Sequence, residues 1–373
     1  MKYFIVAGEQ SGDLHGSNLV RELLIADRNA EIVCWGGDLM ESAGAKLLMH
    51  YRKTAFMGFI VILKNLGTIA RNLSLCKQQI KEFIPDVVIL IDYPGFNLRI
   101  AEFAKNNGFR VLYYISPKFW AWKEKRIEKI KRFVDKMYII FPFETAFYKK
   151  HGMDVEYWGN PLVDETERII SSMPSAGELR KAMSLDERPV IGLLAGSRKH
   201  EVKYILPQMI RVVRDFPDYQ FVLAGVKNLP DDLYIRIIGK EPVKLIKGKT
   251  YEILNISEAA LVASGTATLE AALFNAPQVV GYKADFFSMF IGLMLIKVKF
   301  ISLVNLIMDS EIVKELLGYS VNRRNLVKEL KSVLPGGEKR EKMLSDYVLL
   351  KQKLGPAGAS ARVAADMVKM LVK

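Results

Sequence analysis

The chain has 373 residues, half of them apolar and a quarter charged. This length favours two domains, since one domain usually holds roughly 100–200 residues, and the composition excludes a disordered chain. The two cysteines lie far apart and outside any C-x-x-C pair, which argues against a disulfide framework or zinc site and fits a reducing compartment. The formal net charge of +13 predicts an anionic partner, which can be nucleic acid, anionic lipid or a phosphorylated substrate.

The apolar runs are too short for a membrane-spanning helix. Such a helix needs about 20 mostly apolar residues, and the longest uncharged runs are residues 54–63 and 286–296. The N-terminal apolar run is brief and opens into an acidic, glycine-containing turn, which is not typical of a signal peptide. We therefore expect a soluble or peripheral protein.

The first half alternates short apolar runs with helical patterns. A helix is predicted at residues 14–26. Strands are predicted at residues 3–7, 31–35, 87–91, 111–115 and 136–140. Continuous apolar strands are typical of a parallel sheet that helices cover on both faces. The first half therefore predicts a Rossmann-like, doubly wound domain.

The second half repeats this architecture. A looser stretch at residues 171–177 is a candidate linker. Strands are then predicted at residues 190–194, 220–224, 245–246, 258–263 and 278–282. We expect two Rossmann-like α/β domains facing a cleft, at residues 1–170 and 171–345. A helical segment at residues 346–373 either crosses back to the first domain or swaps to a partner.

Two polar loops follow strands of the first half, where ligands bind in such sheets. The loop at residues 8–13 begins with Gly8 and leads into a helix N-terminus, although Glu9 and Asp13 would repel a pyrophosphate there. The alternative is a structural turn in which Asp13 caps the helix. Asp92 follows the strand at residues 87–91, where a carboxylate can take a proton from an acceptor hydroxyl. The alternative is a carboxylate that only fixes the turn.

Aromatic and apolar side chains mark a candidate membrane contact in the first half. Trp120 and Trp122 precede a predicted basic helix, and tryptophan beside basic charge suits a membrane interface or an acceptor phosphate. Nucleic acid or a merely solvated helix face are the alternatives. The apolar run at residues 56–63 predicts a membrane contact, core or a subunit interface. The run at residues 286–296 is assigned to core and interface.

Two glycine-containing loops of the second half are suited to phosphate. Backbone N–H groups near Gly196, with the Ser197 hydroxyl and Arg198, can hold a diphosphate. A second turn, at residues 263–266, again precedes a helix N-terminus. Glu270 lies within the first turns of that helix and can reach back to ribose hydroxyls. Its alternative is a capping-box carboxylate.

Together these segments resemble the lipid-A-disaccharide synthases, glycosyltransferases with the two-domain architecture called GT-B. The matching positions run in order over nearly the whole chain. They are residues 7–13, Asp92, residues 114–117 and 120–122, residues 141–144 and 159–161, residues 196–198 with Glu201, residues 263–266, residues 302–303 with Asn305, and residues 315–317. Departures from the family pattern are Gly95 in place of a frequent aspartate, Val304 in place of a proline and Gly318 in place of a glutamine.

The resemblance implies an inverting reaction of lipid A and lipopolysaccharide biosynthesis. UDP-2,3-diacylglucosamine would donate its sugar to the 6-hydroxyl of 2,3-diacylglucosamine 1-phosphate (lipid X). The products would be the β-1,6-linked lipid A disaccharide 1-phosphate and UDP. The first domain would then bind the acceptor and face the membrane, and the second would bind the UDP-sugar. No cofactor and no metal are expected, so cationic side chains and helix N-termini would stabilise the departing UDP.

The resemblance also implies roles for single residues. Asp92 and Glu9 are the candidate catalytic bases, and Asp92 is preferred because it ends a central strand. The residues expected at the acceptor or membrane are Ser11, Phe59, Ile62, Leu63, Trp120, Trp122, Lys123 and Arg126. The residues expected at the donor are Gly196, Ser197, Arg198, Glu201, Ser264, Gly265, Thr266, Glu270 and Asn305.

The expected setting is the cytoplasm, peripherally on the inner face of the bacterial inner membrane. The expected partners are the two lipid-sugar substrates and an anionic membrane surface, with no nucleic acid, and a homodimer is left open. Two alternatives remain. One is another GT-B nucleotide-sugar enzyme such as a UDP-N-acetylglucosamine 2-epimerase, and the other is a non-enzymatic protein that binds anionic lipid.

Overall fold

The computed structural model describes residues 1–54, 65–117, 126–284 and 299–372, and the helices and strands below are numbered over these residues. The chain forms two compact units. The first unit is Met1–Asp164 together with Pro356–Lys373, and the second is Glu165–Gly355. The chain passes from the first unit to the second within helix α7 (Pro161–Ser171). Residues 171–177, the candidate linker, comprise the end of this helix, a short turn at residues 172–175 and the start of the next helix, inside the second unit.

The first unit is built on a parallel sheet with the strand order β3-β2-β1-β4-β5-β6-β7. Its strands are β1 (Lys2–Ala7), β2 (Glu31–Gly36), β3 (Lys46–His50), β4 (Val87–Ile91), β5 (Arg110–Tyr114), β6 (Lys136–Ile139) and β7 (Glu156–Tyr157). Its helices are α1 (Gln10–Ala26), α2 (Asp38–Ser42), α3 (Leu66–Phe83), α4 (Pro94–Asn106), α5 (Ile127–Phe133), α6 (Phe143–Lys150) and the C-terminal α16 (Ala359–Val372). Helix α7 begins in this unit and ends in the second.

The second unit has a parallel sheet with the order β10-β9-β8-β11-β12-β13. Its strands are β8 (Val190–Leu194), β9 (Gln220–Gly225), β10 (Val243–Lys247), β11 (Ser257–Ala263), β12 (Gln278–Tyr282) and β13 (Lys314–Leu317). Its helices are α8 (Ala176–Ala182), α9 (Lys199–Ile210), α10 (Asp231–Ile238), α11 (Thr250–Asn255), α12 (Thr266–Leu273), α13 (Leu303–Met308), α14 (Arg323–Val333) and α15 (Arg340–Leu354).

The central strands are buried on both faces. Every residue of β4 and of β8 is buried, because helices cover each sheet on both sides. In the first unit, the indole of Trp35 packs on the ring of Phe96 and donates its N–H to Gln79 Oε1 at 2.7 Å. Each sheet therefore has its own apolar core.

The C-terminal helix α16 lies in the first unit, against α1. The carboxylate of Asp164 caps it, accepting the backbone N–H groups of Gly358 at 2.8 Å, Ala359 at 3.0 Å and Ser360 at 2.8 Å. Further along the helix, Asp366 pairs with Lys136 on β6 at 2.6 Å. The helix is thus held at its start by a cap and along its length by an ion pair.

Ten predicted strands coincide with observed ones, and three observed strands were not predicted. The missed strands are β3, β7 and β13, all at sheet edges. Each is partly exposed, so none carries the continuous apolar run that marks a buried strand. No helix within the described ranges is long and apolar enough to cross a membrane.

Candidate active site

Both sheets reverse their strand order at one point. In the first unit the reversal lies between β1 and β4, and in the second it lies between β8 and β11. Loops that leave such neighbouring strands run to opposite faces of the sheet, which opens a crevice at the carboxyl ends where ligands bind. The four polar loops singled out in the sequence follow these four strands.

In the first unit, the crevice brings the two candidate bases to one edge. The strand register pairs Ala7 with Ile91, so Glu9 and Asp92 follow adjacent strand ends. Both residues are partly exposed. Ser11 is exposed in the first turn of α1, at the same edge. The structure therefore gathers the two carboxylates and Ser11 at the switch point of the first sheet.

The backbone at Asp92 has an unusual conformation that two buried donors hold. Asp92 and Tyr93 have φ values of 41° and 50°, in the left-handed region that costs non-glycine residues roughly 1–3 kcal/mol each. The Asp92 carbonyl accepts the Tyr113 hydroxyl at 2.5 Å and the Asn97 amide at 2.8 Å. These two bonds fix the point from which the Asp92 side chain leaves the backbone.

Asn97 links the two strand ends. It is fully buried, and its amide nitrogen also lies 3.1 Å from the Ile91 carbonyl and 3.3 Å from the Val6 carbonyl. Neither Asn97 nor Tyr113 was assigned a role from the sequence. The available signal was that Asn97 lies on the side of α4 that faces the core, where helical spacing favours an apolar residue.

Tyr93 fills the space between the two loops. A Cβ atom on Gly8 would lie 2.3 Å from its ring, so only glycine fits opposite it. The Tyr93 hydroxyl donates to the Thr54 carbonyl at 2.7 Å. Burial raises the pKa of Tyr93 to about 12, and the nearby charge of Glu9 acts in the same direction. The hydroxyl therefore stays protonated beside the candidate bases.

Asp13 has a structural role that differs from the expected one. It lies inside α1 and is buried, and its carboxylate accepts the N–H groups of Gly37 at 2.8 Å, Met40 at 3.1 Å and Leu39 at 3.2 Å. It therefore caps the start of α2, rather than its own helix, which is a correction of the sequence expectation.

The other residues expected at the acceptor are only partly described. Arg126 is partly exposed at the start of α5. Burial raises the pKa of the Tyr113 hydroxyl, the charge of Asp92 adds to this, and the charge of Arg126 acts in the opposite direction. Phe59, Ile62, Leu63, Trp120, Trp122 and Lys123 lie outside the described residues.

In the second unit, the loop after β8 is closed by Glu201. Its carboxylate accepts the N–H groups of Ser197 at 2.9 Å and Arg198 at 3.2 Å, and it lies 3.4 Å from the Arg198 guanidinium. Gly196 has a φ of 104°, and a Cβ there would lie 2.5 Å from that carboxylate. Glu201 therefore holds the loop in this conformation, and its expected part in donor binding stays a prediction. The Arg198 side chain remains about half exposed.

The loop after β11 presents a helix N-terminus. Helix α12 begins at the exposed Thr266, and its N-cap is Gly265, which has no side chain to cap it. Such an end carries a partial positive charge and suits an anion. The Ser264 hydroxyl donates to the Ile301 carbonyl at 3.1 Å, so it ties this loop to the chain that precedes α13.

Glu270 points across to a neighbouring helix. It is partly exposed and accepts the hydroxyl of Tyr251 at 3.1 Å. Burial raises the pKa of Glu270 to about 7, and the hydrogen bond from Tyr251 acts in the opposite direction. The third residue of α12, where a capping-box partner would stand, is Thr268, so Glu270 is not a capping-box carboxylate.

Asn305, which was expected at the donor, holds a turn of the second unit. It is fully buried, and its amide donates to the Val313 carbonyl at 2.9 Å and to Glu315 Oε1 at 2.8 Å. Its oxygen accepts the N–H groups of Ile312 and Val313 at 2.8 and 3.0 Å. Because both ends of the amide are used, Asn305 holds the turn between α13 and β13, and its expected contact with the donor stays a prediction.

The three departures from the family pattern fit the local structure. Val304 is the second residue of α13, a position where a helix also tolerates proline. Gly318 has a φ of 55°, which glycine adopts without strain. Gly95 is exposed in the first turn of α4, with open space at its Cβ position. Among the residues that the structure describes, no group of His, Cys, Asp or Glu side chains could hold a metal ion.

Two parallel α/β units, each with its polar loops at the switch point of its sheet, define the fold class of GT-B nucleotide-sugar enzymes. The UDP-GlcNAc 2-epimerase of Neisseria meningitidis, solved with UDP-GlcNAc, is similar with a TM-score of 0.71 at 13% identity, covering 99% of this chain and 100% of that one. The calicheamicin glycosyltransferase CalG4 is similar with a TM-score of 0.60 at 12% identity, covering 100% and 98%. At such low identity these likenesses show the fold alone.

Sequence comparison identifies the family. The model of the lipid-A-disaccharide synthetase family matches residues 3–366. The lipid-A-disaccharide synthase of Geobacter metallireducens is 37% identical over 380 residues, covering 100% of this chain and 98% of its own. That of Syntrophus aciditrophicus is 37% identical over 378 residues, covering 99% and 97%. The chain belongs to the lipid-A-disaccharide synthase family and is a hexosyltransferase of lipid A disaccharide synthesis.

Proposed function

We propose that the chain transfers the sugar of UDP-2,3-diacylglucosamine to the 6-hydroxyl of 2,3-diacylglucosamine 1-phosphate, forming the β-1,6 linkage and releasing UDP. The observation that carries this proposal is the placement of Glu9 and Asp92 on adjacent strand ends, in a chain of this family. The epimerase alternative has support only from a likeness in fold at 13% identity.

The chemistry needs one base on the acceptor side. The base takes the proton of the 6-hydroxyl, the oxygen attacks the anomeric carbon opposite UDP, and the bond from that carbon to the phosphate oxygen breaks. We assign the base to Asp92, because Tyr113 and Asn97 hold its backbone in one conformation, and precise placement lowers the barrier. Glu9, at the adjacent strand end, is the second candidate.

The donor side needs positive charge for the departing UDP. We assign the diphosphate to Arg198, with the loop of Gly196 and Ser197, and to the N-terminus of α12 at Gly265 and Thr266. A guanidinium and a helix N-terminus both stabilise the negative charge that develops as the bond breaks. Glu270 is assigned to the ribose hydroxyls, because it lies on the same helix, one turn further along.

The base assignment is tested by Asp92→Asn and Glu9→Gln. Loss of a general base lowers kcat by roughly 10²–10⁴-fold. We expect a loss of this size in D92N with unchanged affinity for UDP, and a smaller loss in E9Q. Asp86→Asn is the matched control, since Asp86 precedes the same strand and bonds the Lys2 N–H at 2.7 Å. An active D92N beside an inactive E9Q would move the base to Glu9, and activity in both would refute the assignment.

The donor assignment is tested by Arg198→Ala. A charge-assisted hydrogen bond contributes about 1.5–3 kcal/mol, so we expect R198A to weaken UDP binding by roughly tenfold or more. Arg188→Ala is the control, because Arg188 precedes β8 at the opposite end of the strand and pairs with Asp186. Equal UDP affinity in R198A and R188A would remove Arg198 from the donor site.

We further propose that the protein binds peripherally to the inner face of the bacterial inner membrane. The net charge of +13 and the exposed Lys129, Lys131 and Arg132 of α5 support attraction to anionic lipid. Alanine at these three positions should weaken binding to anionic vesicles at low salt. The matched control replaces the exposed Arg324, Lys328 and Lys331 of α14, which lowers the net charge equally. Equal loss in both triple variants would refute a specific role for α5.

A further inference from the structure

Tyr251 connects two helices beside the second switch point, and no motif in the sequence marked it. It lies on α11, and its hydroxyl donates to Glu270 Oε1 on α12 at 3.1 Å. Its ring stacks on Phe274, the C-cap residue of α12, with centroids 5.3 Å apart and planes inclined by 13°. Tyr251 therefore contacts α12 through both its ring and its hydroxyl, which leaves its side chain little freedom.

The direction of this hydrogen bond is fixed by the surroundings of Tyr251. Burial raises the pKa of its hydroxyl far above the usual value, and the charges of Glu270 and Glu165 add to this. Arg168 opposes them only in part, because its guanidinium pairs with Glu165 at 2.8 and 3.2 Å. The hydroxyl therefore keeps its proton at working pH and acts as the donor, and the Glu270 carboxylate is the acceptor.

We propose that Tyr251 is a positioning residue for nucleotide binding, which holds one carboxylate oxygen of Glu270 and leaves the second for the ribose hydroxyls of UDP. The inference rests on the proposed assignment of Glu270 to the ribose. Tyr251 itself does not touch the nucleotide in this account. Tyr251 instead orients the Glu270 carboxylate, and its hydrogen bond favours the charged form of that carboxylate.

The affinity for UDP should depend on pH through Glu270. Burial raises the pKa of Glu270 to about 7, whereas the hydrogen bond from Tyr251 favours the charged form. The other charged groups near this pair, Glu165 and Arg168, act on Tyr251. A charged carboxylate accepts stronger hydrogen bonds than a neutral one. UDP affinity should therefore rise as the pH increases through 7, and without the Tyr251 hydroxyl this rise should move to higher pH.

The experiment measures UDP affinity of the full chain by calorimetry between about pH 6 and pH 9, a range that spans the titration of Glu270. Tyr251→Phe removes the hydroxyl and keeps the ring stack. Glu270→Gln provides the baseline, because it retains every other titrating group, including the phosphate of UDP. Tyr347→Phe is the control for loss of a buried hydroxyl, since Tyr347 bonds Gln278 and not Glu270.

Four results would support the proposal together. Y251F should bind UDP roughly fivefold more weakly than wild type near neutral pH, as expected for one hydrogen bond of about 1 kcal/mol. Its pH midpoint should lie above that of wild type, and E270Q should show only the pH dependence that comes from the other titrating groups, including the phosphate of UDP. The double variant should match E270Q, because Tyr251 acts through Glu270. Y347F should keep the wild-type pH profile.

Three results would overturn it. A Y251F variant that matches wild type, that loses affinity equally at all pH values, or whose loss adds to that of E270Q would show that Tyr251 does not act through Glu270. Failure of the proposed function looks different. If E270Q binds UDP as wild type does at every pH, then Glu270 itself does not contact the ribose, and both assignments fall.

Discussion

At the residue scale, backbone strain collects beside the candidate base. Asp92 and Tyr93 follow β4 with positive φ, and Ile115 follows the adjacent β5 with a φ of 66°. A left-handed conformation is especially unfavourable for a β-branched residue such as isoleucine. Strain of this kind persists only where surrounding contacts determine the conformation, and it is common at active sites. The contacts here are the bonds from Tyr113 and Asn97 to the Asp92 carbonyl.

The first prediction concerns the Tyr113 hydroxyl. Tyr113→Phe removes one of the two donors to the Asp92 carbonyl, and we expect kcat to fall by roughly fivefold to tenfold, because one hydrogen bond contributes about 1 kcal/mol and the base loses its placement. Affinity for UDP should not change. The control is Tyr3→Phe, whose hydroxyl bonds Asp27 at 3.1 Å in the same unit. Equal kcat in the two variants would contradict a positioning role for Tyr113.

The second prediction concerns the contact between Gly8 and Tyr93. Gly8→Ala places a methyl group 2.3 Å from the Tyr93 ring, so we expect a destabilisation of about 2 kcal/mol or more, as for an overpacked core. Gly95→Ala is the matched control, because its Cβ position is open and helices favour alanine over glycine by about 0.5–1 kcal/mol. Chemical denaturation measures both. A G8A variant as stable as G95A would contradict the described packing.

The sequence predicts the position of a candidate site residue only where that residue closely follows a strand. Asp92 directly follows an apolar run and Glu9 lies two residues after another, so their place at the carboxyl edge follows from the strand pattern. Glu201 and Asn305 also stand beside turns, but their oxygens are taken by backbone N–H groups, and hydrogen bonds of this kind leave no mark in sequence spacing. Tyr113 was predicted only as a strand residue, because its contact with Asp92 joins two different strands.

At the element scale, burial decides which strands the sequence reveals. The central strands are covered on both faces, so their apolar runs are continuous and their bounds were predicted within one residue for β4 and β8. The edge strands β3, β7 and β13 are partly exposed and carry lysine or glutamate. Edge strands commonly carry charge, which prevents unwanted pairing and removes the apolar signal. Their pairing depends on the finished sheet.

The third prediction concerns the attachment of α16 at alkaline pH. Burial lowers the pKa of Lys136, but Asp366 and Glu156 outweigh this and raise it, while burial and Asp366 raise the pKa of Tyr138. Both groups hold their protons more tightly in the folded state. Their contribution to stability is therefore present below about pH 10, the ordinary value for tyrosine and lysine, and is lost as the pH rises further.

Asp366→Asn tests this account. We expect D366N to lower the Tm at about pH 8, and to show a smaller further decrease up to about pH 11 than wild type does, because the raised pKa values depend on Asp366. Asp154→Asn is the control, since Asp154 is exposed in the same unit. Identical Tm profiles for D366N and D154N would show that the Lys136–Asp366 pair does not stabilise α16.

At the scale of the whole molecule, the same design occurs twice. Each unit has two polar loops at the point where its strand order reverses. The loops of the first unit carry acidic side chains, whereas those of the second carry Arg198 and a helix N-terminus. The doubly wound class of both sheets followed from the alternation of strands and helices, whereas the passage between units inside α7 did not, since a continuous helix gives no linker signal.

The most direct test of the central claim is product formation by the full chain in mixed micelles, supplied with UDP-2,3-diacylglucosamine and 2,3-diacylglucosamine 1-phosphate. We predict release of UDP in equal amount to a β-1,6-linked disaccharide 1-phosphate, and no conversion of UDP-N-acetylglucosamine supplied alone. The rate of product formation by the Asp92→Asn variant should be lower than that of wild type by roughly 100-fold or more. A folded wild-type protein that forms no disaccharide, or that epimerises UDP-N-acetylglucosamine, would contradict the proposed reaction.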